Sequence, residues 1–393
     1  MGNEFRFIHC ADLHLGSRFK GLGTEDPKLA ESMRVAVMES FGRIVDTARK
    51  RQVDAMVISG DIFDDSNELP STRMWFSEQL RRAGMPVFIC RGNHDSRTSW
   101  DDAIPYPENV HEFGTEAERF EVGSNAEVVG VSYSTPHEQR NLAAILSGSS
   151  DRFTIGCVHC DVDSVSEGYS YAPCSVSDLV GKGVDYWALG HIHKRNIVST
   201  NPYIVYPGNI QARSYKETGQ KGAYLVTVSS RRVSSMEFIP TQTYVWDDIT
   251  VDITGKSLTD VIQTLSGSIG PKTVCRITFT GSGDLDLMLR TKSDDVRKAI
   301  STSNGAIVTD LNVKTSPPID LDARAGQGDL VSSIIKSGRN LESMSADEII
   351  ELICQSRNLA QYRTLYESMG EDTIRSLVVE AMKGCVARLE VER

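Results

Sequence analysis

Short runs of apolar and β-branched residues recur along the first 240 positions, and five of them end in a polar cluster. Residues 5–9 lead into Cys10-Ala11-Asp12-Leu13-His14, and residues 55–59 lead into Gly60-Asp61. Residues 87–90 run into Arg91-Gly92-Asn93-His94-Asp95, residues 153–158 into His159, and residues 186–189 into Gly190-His191-Ile192-His193. Runs this short, bounded by Gly and Asp, predict strands. Between the early runs, residues 29–51 place Met33, Val37, Phe41, Ile44, Val45 and Ala48 three and four apart, which predicts a helix with one buried face. Residues 72–83 do the same with Trp75, Phe76 and Leu80. Strand alternating with helix predicts a layered α/β core, helices packed on central sheets. Such sheets carry their ligands outside the carboxyl ends of the strands, which is where every polar cluster falls.

Residues 128–133, 223–228 and 233–238 read as further β-structure. The pattern breaks near Ile239-Pro240-Thr241, which ends a first domain at residues 1–240. Residues 244–315 then predict a small α+β domain. Its strands are 244–253, 274–279 and 307–313, with a short one near 285–289, and its helices are 258–265 and 294–300. Thr315-Ser316-Pro317-Pro318 marks a second break, beyond which residues 326–393 are helical in character.

Composition narrows the class. The 393 residues are 40% hydrophobic and 24% charged, which suits a soluble globular chain. No apolar run approaches the length of a membrane span, and the start MGNEFRFIHC lacks a basic-then-apolar leader. Both features predict an intracellular protein. With 42 Lys and Arg against 53 Asp and Glu, the net charge is −11, so a general basic coat for nucleic acid is excluded. Local cations or metal ions can still bring phosphates to such a surface. The eight cysteines are scattered, several within apolar runs, and read as buried thiols. Cys157 and Cys160 flank His159 as a CxxC pair, and zinc ligation or redox chemistry is the competing use of that segment.

Five of the eight histidines lie in the strand-end clusters beside Asp12, Asp61 and Asn93. Imidazole and oxygen ligands without thiolates suit hard or borderline divalent ions such as Mn²⁺, Mg²⁺, Zn²⁺ or Fe²⁺. Seven ligands exceed one tetrahedral zinc and match two metals sharing a carboxylate. Two ions about 3.5–4 Å apart clamp both the attacking and leaving oxygens of an in-line displacement at phosphorus. If the strand ends stay extended, Asp12 with His14, and His191 with His193, point to one side each. Gly60, Gly92 and Gly190 let the backbone approach metal or phosphate without a Cβ in the way.

Taken in order, Asp12-Leu13-His14, Gly60-Asp61, Gly92-Asn93-His94-Asp95, His159 and Gly190-His191-Ile192-His193 resemble the five motifs of the calcineurin-like metallophosphoesterases. Ala11 to Gly16, Gly60 to Asp64, and Tyr206-Pro207-Gly208-Asn209-Ile210-Gln211 with Ser214 and Glu217 resemble the SbcD-type DNA repair nucleases within them. The resemblance covers residues 5–235 well and 244–315, the place of a capping domain, more loosely. It implies that Asp12, His14 and His193 hold one metal, that Asp61 bridges, and that Asn93, His159 and His191 hold the other, with Mn²⁺ foremost. His94 would stand beside the scissile phosphate as the catalytic group, and Asp95 would orient its imidazole. Asp64 stands where some family members carry a histidine that engages the DNA end. The implied function is hydrolysis of DNA phosphodiester bonds in end processing and repair, by exonuclease or endonuclease action. The implied partners are an SbcC-type coiled-coil ATPase bound by the C-terminal helices and a second copy bound through helices 29–51 and 72–83. The implied setting is the bacterial cytoplasm, at the nucleoid. Alternatives are a phosphoesterase for a small nucleotide or lipid-linked phosphate, or an adaptor subunit for an ATPase.

Around the motifs, Arg18, Lys20, Arg91 and Arg97 are candidates for phosphate contacts, the usual task of such residues. Tyr169 and Tyr171 are candidates for stacking on a DNA end. His9 reads as a buried hydrogen-bonding residue, and His111 and His137 as loop residues.

Overall fold

A computed structural model describes residues 4–17, 19, 27–65, 68–96, 103–163, 171–318, 320–356 and 358–391. Arg18, Lys20, Arg97 and Tyr169 lie outside the described residues. The chain divides into two compact units, Met1–Trp246 and Asp247–Arg393.

The first unit runs β1 (Phe5–Cys10), α1 (Pro27–Lys50), β2 (Ala55–Ser59), α2 (Pro70–Ala83), β3 (Val87–Cys90), β4 (Val110–Glu112), β5 (Glu118–Val122) and β6 (Ala126–Gly130). It continues with β7 (Phe153–His159), β8 (Asp161–Val162), β9 (Pro173–Cys174), α3 (Val176–Leu179), β10 (Tyr186–Gly190), β11 (Asn196–Thr200), β12 (Tyr203–Tyr206), β13 (Gly222–Ser229) and β14 (Arg232–Pro240). Two six-stranded sheets result, ordered β14-β13-β1-β2-β3-β4 and β11-β12-β10-β7-β6-β5. Strands β1 to β4 are mutually parallel, as are β6, β7, β10 and β12. Parallel strands of this kind are buried on both faces and read as unbroken apolar runs, which is how β2, β3 and β7 read.

Between the sheets, Phe7, Val57, Phe88, Phe153, Tyr186 and Val226 form one continuous core. The far face of the second sheet buries Trp187, Leu189 and Ile204 under Leu142, Leu146 and Leu179. Trp187 Nε1 donates to the Leu179 carbonyl at 3.1 Å, so its one polar atom is satisfied. Helices α1 and α2 bury the stripes the periodicity predicts, and the Phe41 and Phe76 rings meet at 5.1 Å. His111, expected in a loop, lies in β4 with its ring 4.6 Å from that of Phe120. Aromatic packing supplied by distant residues sets that position, and local sequence does not show it.

The second unit is built on the sheet β15-β16-β17, with strands Val245–Asp252, Thr273–Ser282 and Ile307–Ser316. Helices α4 (Leu258–Ser268), α5 (Leu285–Thr291) and α6 (Ser293–Asn304) accompany it around a core that includes Val261, Leu265, Ile277, Phe279 and Ile300. The strand expected near 285–289 is helix α5. Leu-Asp-Leu alternates like a strand, but Leu285 and Leu289 are both buried at helical spacing. Asp286 accepts hydrogen bonds from Arg290 one turn on and from Thr315 of β17, which holds the turn in place. Helices α7 (Leu321–Ala325), α8 (Leu330–Glu342), α9 (Ala346–Cys354), α10 (Arg363–Glu367) and α11 (Glu371–Val391) follow. The sequence separates residues 326–393 from 244–315, yet α11 packs on β16 and β17 and both segments share one compact unit. Among the described residues, no helix is long and apolar enough to cross a membrane.

His9 is fully buried, with Nδ1 3.1 Å from the Tyr186 hydroxyl and Nε2 3.3 Å from Ser59 Oγ. Burial lowers its pKa to about 3. The folded state therefore keeps His9 neutral while the unfolded chain protonates near pH 6.5, so stability is lost as pH falls through that value. At pH 5 the loss is about 2 kcal/mol. Urea unfolding of the metal-free protein at pH 7 and pH 5 should show His9→Gln gaining about that much on the wild type as pH drops; a constant difference between the two proteins would contradict it.

Candidate metal centre

The registers β1–β2, β2–β3 and β7–β10 align the strand ends, pairing Cys10 with Ile58, Ser59 with Cys90 and His159 with Gly190. Ser59 then joins the two sheets. Its hydroxyl donates to the Ala188 carbonyl at 2.8 Å, and its own carbonyl accepts from His159 Nδ1 at 3.0 Å. A Cβ on Gly190 would overlap that same carbonyl oxygen, and one on Gly92 would overlap Asp61 Oδ1. These glycines, expected to let the backbone approach metal or phosphate, make their contacts with His159, Asp61 and Ser59.

The strand ends do not stay extended through the polar clusters. Asp12, His14, Asp61 and His191 have φ of 51°, 47°, 50° and 101°, in the left-handed region that side chains with a Cβ avoid. Each such residue costs roughly 1–3 kcal/mol and is held by its surroundings. Here the holding bonds are Asp12 N to Gly60 O (3.1 Å), His14 N to Asp61 O (3.0 Å) and Leu15 N to Ile62 O (2.8 Å). The turn at His191 sends the two histidines of Gly190-His191-Ile192-His193 different ways. The His191 ring lies 5.3 Å from that of His159, and His193 Nε2 lies 2.9 Å from His14 Nε2.

Asp12, His14 and His193 bring ligand atoms within 4.8 Å of one another, and so do Asp12, Asp61 and His159. Asp61 Oδ2 stands between the groups, 3.9 Å from His14 Nε2 and 3.5 Å from His159 Nε2. Asn93 Oδ1 is 3.1 Å from the same His159 Nε2. Because His159 Nδ1 donates to Ser59 O, its Nε2 presents a lone pair to those oxygens. His193 Nδ1 is occupied by Glu217 Oε1 at 2.7 Å, so its Nε2 presents a lone pair to His14. Acceptors facing acceptors, oxygen and imidazole together, are a donor set that fits divalent cations. Burial holds His14 well below the usual histidine range, with Arg213 and His193 adding to it, and lowers His191 to about 3. Both are neutral and ready to coordinate. Burial pulls His193 down too, but the Glu217 hydrogen bond and the Asp12 charge outweigh it and the net shift is upward. Burial raises Asp12, opposed by His193 and His159, and the His191 N–H binds its carboxylate at 3.0 and 3.2 Å.

His94 sits at the mouth, beside a cleft of about 660 Å³ lined by Asp64, Asp65, Asn93, His137 and Tyr171. Its Nδ1 donates to the Asp64 carbonyl at 2.7 Å, and its backbone N–H donates to Asp61 Oδ1 at 3.0 Å. Asp95, expected to orient the His94 ring, does something else: it accepts from the backbone N–H groups of Ile62 (2.7 Å), Phe63 (3.3 Å) and Gly92 (2.8 Å). A buried carboxylate at this turn satisfies three donors that no strand partner reaches. Arg91, expected to touch phosphate, is instead engaged by Glu112 in a two-point pair at 3.0 and 2.7 Å. Tyr171 does line the cleft, with its ring 5.2 Å from that of His191. Cys157 and Cys160 do not converge. Cys157 enters the core between the sheets, while Cys160 lies in the opposite core and meets Cys174 at 3.7 Å.

Glu217 and Arg213 are the residues that motif reading left without a role. Glu217 holds His193, the Asn209 amide (2.8 Å) and the Arg213 N–H (2.7 Å), and Arg213 forms an ion pair with Asp64, which lies 3.3 Å from His14 Nδ1. The run from Tyr206 to Gln211 with Ser214 and Glu217 carries the signal, but only closure of the 209–217 loop gives it a function.

The signature of calcineurin-like phosphoesterases matches residues 5–195. A metallophosphoesterase of Bacillus subtilis, YhaO, described as uncharacterized, is 38% identical over 275 residues, 67% of each chain. The chain belongs to the calcineurin-like metallophosphoesterases. Members of this family bind two divalent metals, and the clusters above supply candidate ligands. More distant relatives include the DNA double-strand break repair protein Mre11 of Aeropyrum pernix, 29% identical over 56% of this chain and 57% of that one. The SbcD component of the SbcCD nuclease of Bacillus subtilis is 25% identical over 54% of this chain and 63% of that one. The matches span less than two thirds of those nucleases.

Two substitutions test how this metallophosphoesterase site is built. Glu217→Ala should weaken Mn²⁺ binding about 10–100-fold in a calorimetric titration, since His193 loses the partner that orients it. Gly92→Ala should weaken it as well, by displacing Asp61. Wild-type affinity in both variants would show that neither contact positions the centre.

Proposed function

We propose that this metallophosphoesterase is a phosphodiesterase of DNA ends, a nuclease subunit that works with a coiled-coil ATPase. The observation that carries the reading is the pair of ligand groups with Asp61 Oδ2 between them, opening at His94 onto the cleft. Asp12, His14 and His193 would hold one ion, Asn93, His159 and His191 would hold the other, and Asp61 would be shared, with Mn²⁺ the expected metal. When bound, the ions supply charge neutralisation for in-line displacement at phosphorus and a nucleophile usable at neutral pH. His94, with Nδ1 committed to the Asp64 carbonyl, turns Nε2 to the substrate. From there its ring is placed to give a proton to the leaving oxygen. Asp95 and Glu217 act through others, the first on the 62–63 and 92 backbone and the second on His193.

The relatives named for double-strand break repair and for the SbcCD nuclease support DNA as the substrate. In the second unit, α8 and α11 flank an apolar groove of about 710 Å³ in which Leu330 and Leu377 are exposed, which supports these helices as the ATPase surface. On the first unit, exposed Val35 and Met74 of α1 and α2 support a homodimer through those helices. One observation favours a second reading: Asp64 and Asp65 line the cleft of an acidic protein, a setting that suits a small phosphodiester better than polyanionic DNA.

With Mn²⁺ and linear duplex DNA, the wild type should release nucleotides, and His94→Ala should slow release about 10²–10⁴-fold while binding Mn²⁺ as before. Turnover of bis(p-nitrophenyl) phosphate with no DNA cleavage would select the small-substrate reading. Loss of metal in His94→Ala would overturn its assignment as a group outside the coordination sphere.

A further inference from the structure

A second cleft, of about 710 Å³, lies at the other end of the same strands. Strand β7 runs its seven residues from Phe153 on this cleft to His159 at the metal centre, a span of about 20 Å. The volume is that of a small-ligand pocket. Its walls come from the starts of β7 and β10, the β11–β12 turn and the β13–β14 turn.

Two features mark it as more than a surface hollow. The first is charge. In this acidic chain, Arg49, Arg195, Arg231 and Arg232 are the arginines without a carboxylate partner among the described residues whose side chains are placed, and two of them stand side by side on this cleft. Arg231 occupies the two-residue turn with Ser230. Both have positive φ, 50° and 59°, in a turn where Asn-Gly is the usual choice. The backbone strain thus presents an arginine where a glycine would be easier. The second feature is an aromatic wall: Tyr203, partly buried, lines the same cleft, and so does Asp185, with one oxygen engaged by Thr154 N at 2.8 Å.

We propose that this cleft is a second ligand site that binds a nucleoside phosphate, with Arg231 and Arg232 on the phosphate and Tyr203 against the base. Guanidinium pairs recognise phosphate oxygens by charge-assisted hydrogen bonds, and an aromatic face suits a planar base. The site is separate from the metal centre and needs no metal.

Calorimetry with the full chain in EDTA, which removes metal-dependent binding at the first site, tests this with AMP, pyrophosphate, inorganic phosphate and short duplex DNA as probes. AMP should bind saturably. The Arg231→Ala/Arg232→Ala double variant, folded by circular dichroism, should bind it about tenfold or more weakly, and Arg49→Ala should bind it like the wild type. Tyr203→Leu should weaken AMP and leave pyrophosphate unchanged. Should the double variant fail to fold, Arg231→Gln alone should show the same direction of loss. No saturable AMP binding, wild-type affinity in the arginine variants, inorganic phosphate binding as tightly as AMP, or duplex DNA displacing AMP would each overturn the proposal.

Discussion

The centre depends on how closely two sheets approach at Ser59 and Gly190. The Ser59 carbonyl lies where a Cβ of residue 190 would stand, and it accepts from His159 Nδ1, so one atom sets both the sheet spacing and the tautomer of a ligand histidine. The Ser59 hydroxyl bonds across to Ala188 and ties the same two strands. Residues contributed by β1, β2 and β3 on one sheet and by β7 and β10 on the other meet only because this contact is tight. A larger side chain at 190 would meet both the Ser59 carbonyl and His159 Nδ1, pushing the sheets apart and displacing the ring.

The carboxylates of the site divide into two kinds of work. Asp12 and Asp61 face the imidazoles, while Asp95 and Glu217 face the scaffold. Asp95 gathers three backbone donors from two loops, and Glu217 gathers a ring nitrogen from one loop and an amide and a backbone N–H from another. Beside the His193 ring and Arg213, hydrogen bonding brings Glu217 to about 2 in spite of burial. Asp95 has as many donors, all of them backbone, and there burial prevails, raising it to about 6 with Asp61 adding to it. Positive φ at Asp12, His14, Asp61 and His191 is the backbone counterpart: conformations unfavourable singly persist because the hydrogen bonds around them have no alternative partner.

Uncompensated charge is distributed with similar economy. Most arginines among the described residues are tied to carboxylates, including Arg213 and Arg91 near the centre, so the metal cleft presents Asp64, Asp65 and His94 more than free guanidinium groups. Arg231 and Arg232, like Arg49 and Arg195, depart from that pattern, and the first two stand at the end of the sandwich away from the metal-ligand clusters.

Much of this was legible in the sequence, because hydrophobic runs of fixed period dictate strands and helices, and because chemistry that needs imidazole and carboxylate admits few substitutes. The alternation of strand and helix, the polar clusters at strand ends and the presence in them of Asp12, His14, Asp61, Asn93, His159, His191 and His193 are one-dimensional facts. Direction and partnership are not. Whether His191 turns toward His159 or His14, whether Asp95 meets a ring or a backbone, and whether 285–291 coils depend on atoms far away in the chain. Tertiary structure decided those, since a short segment with two accessible conformations takes the one whose hydrogen bonds and buried face its distant neighbours complete.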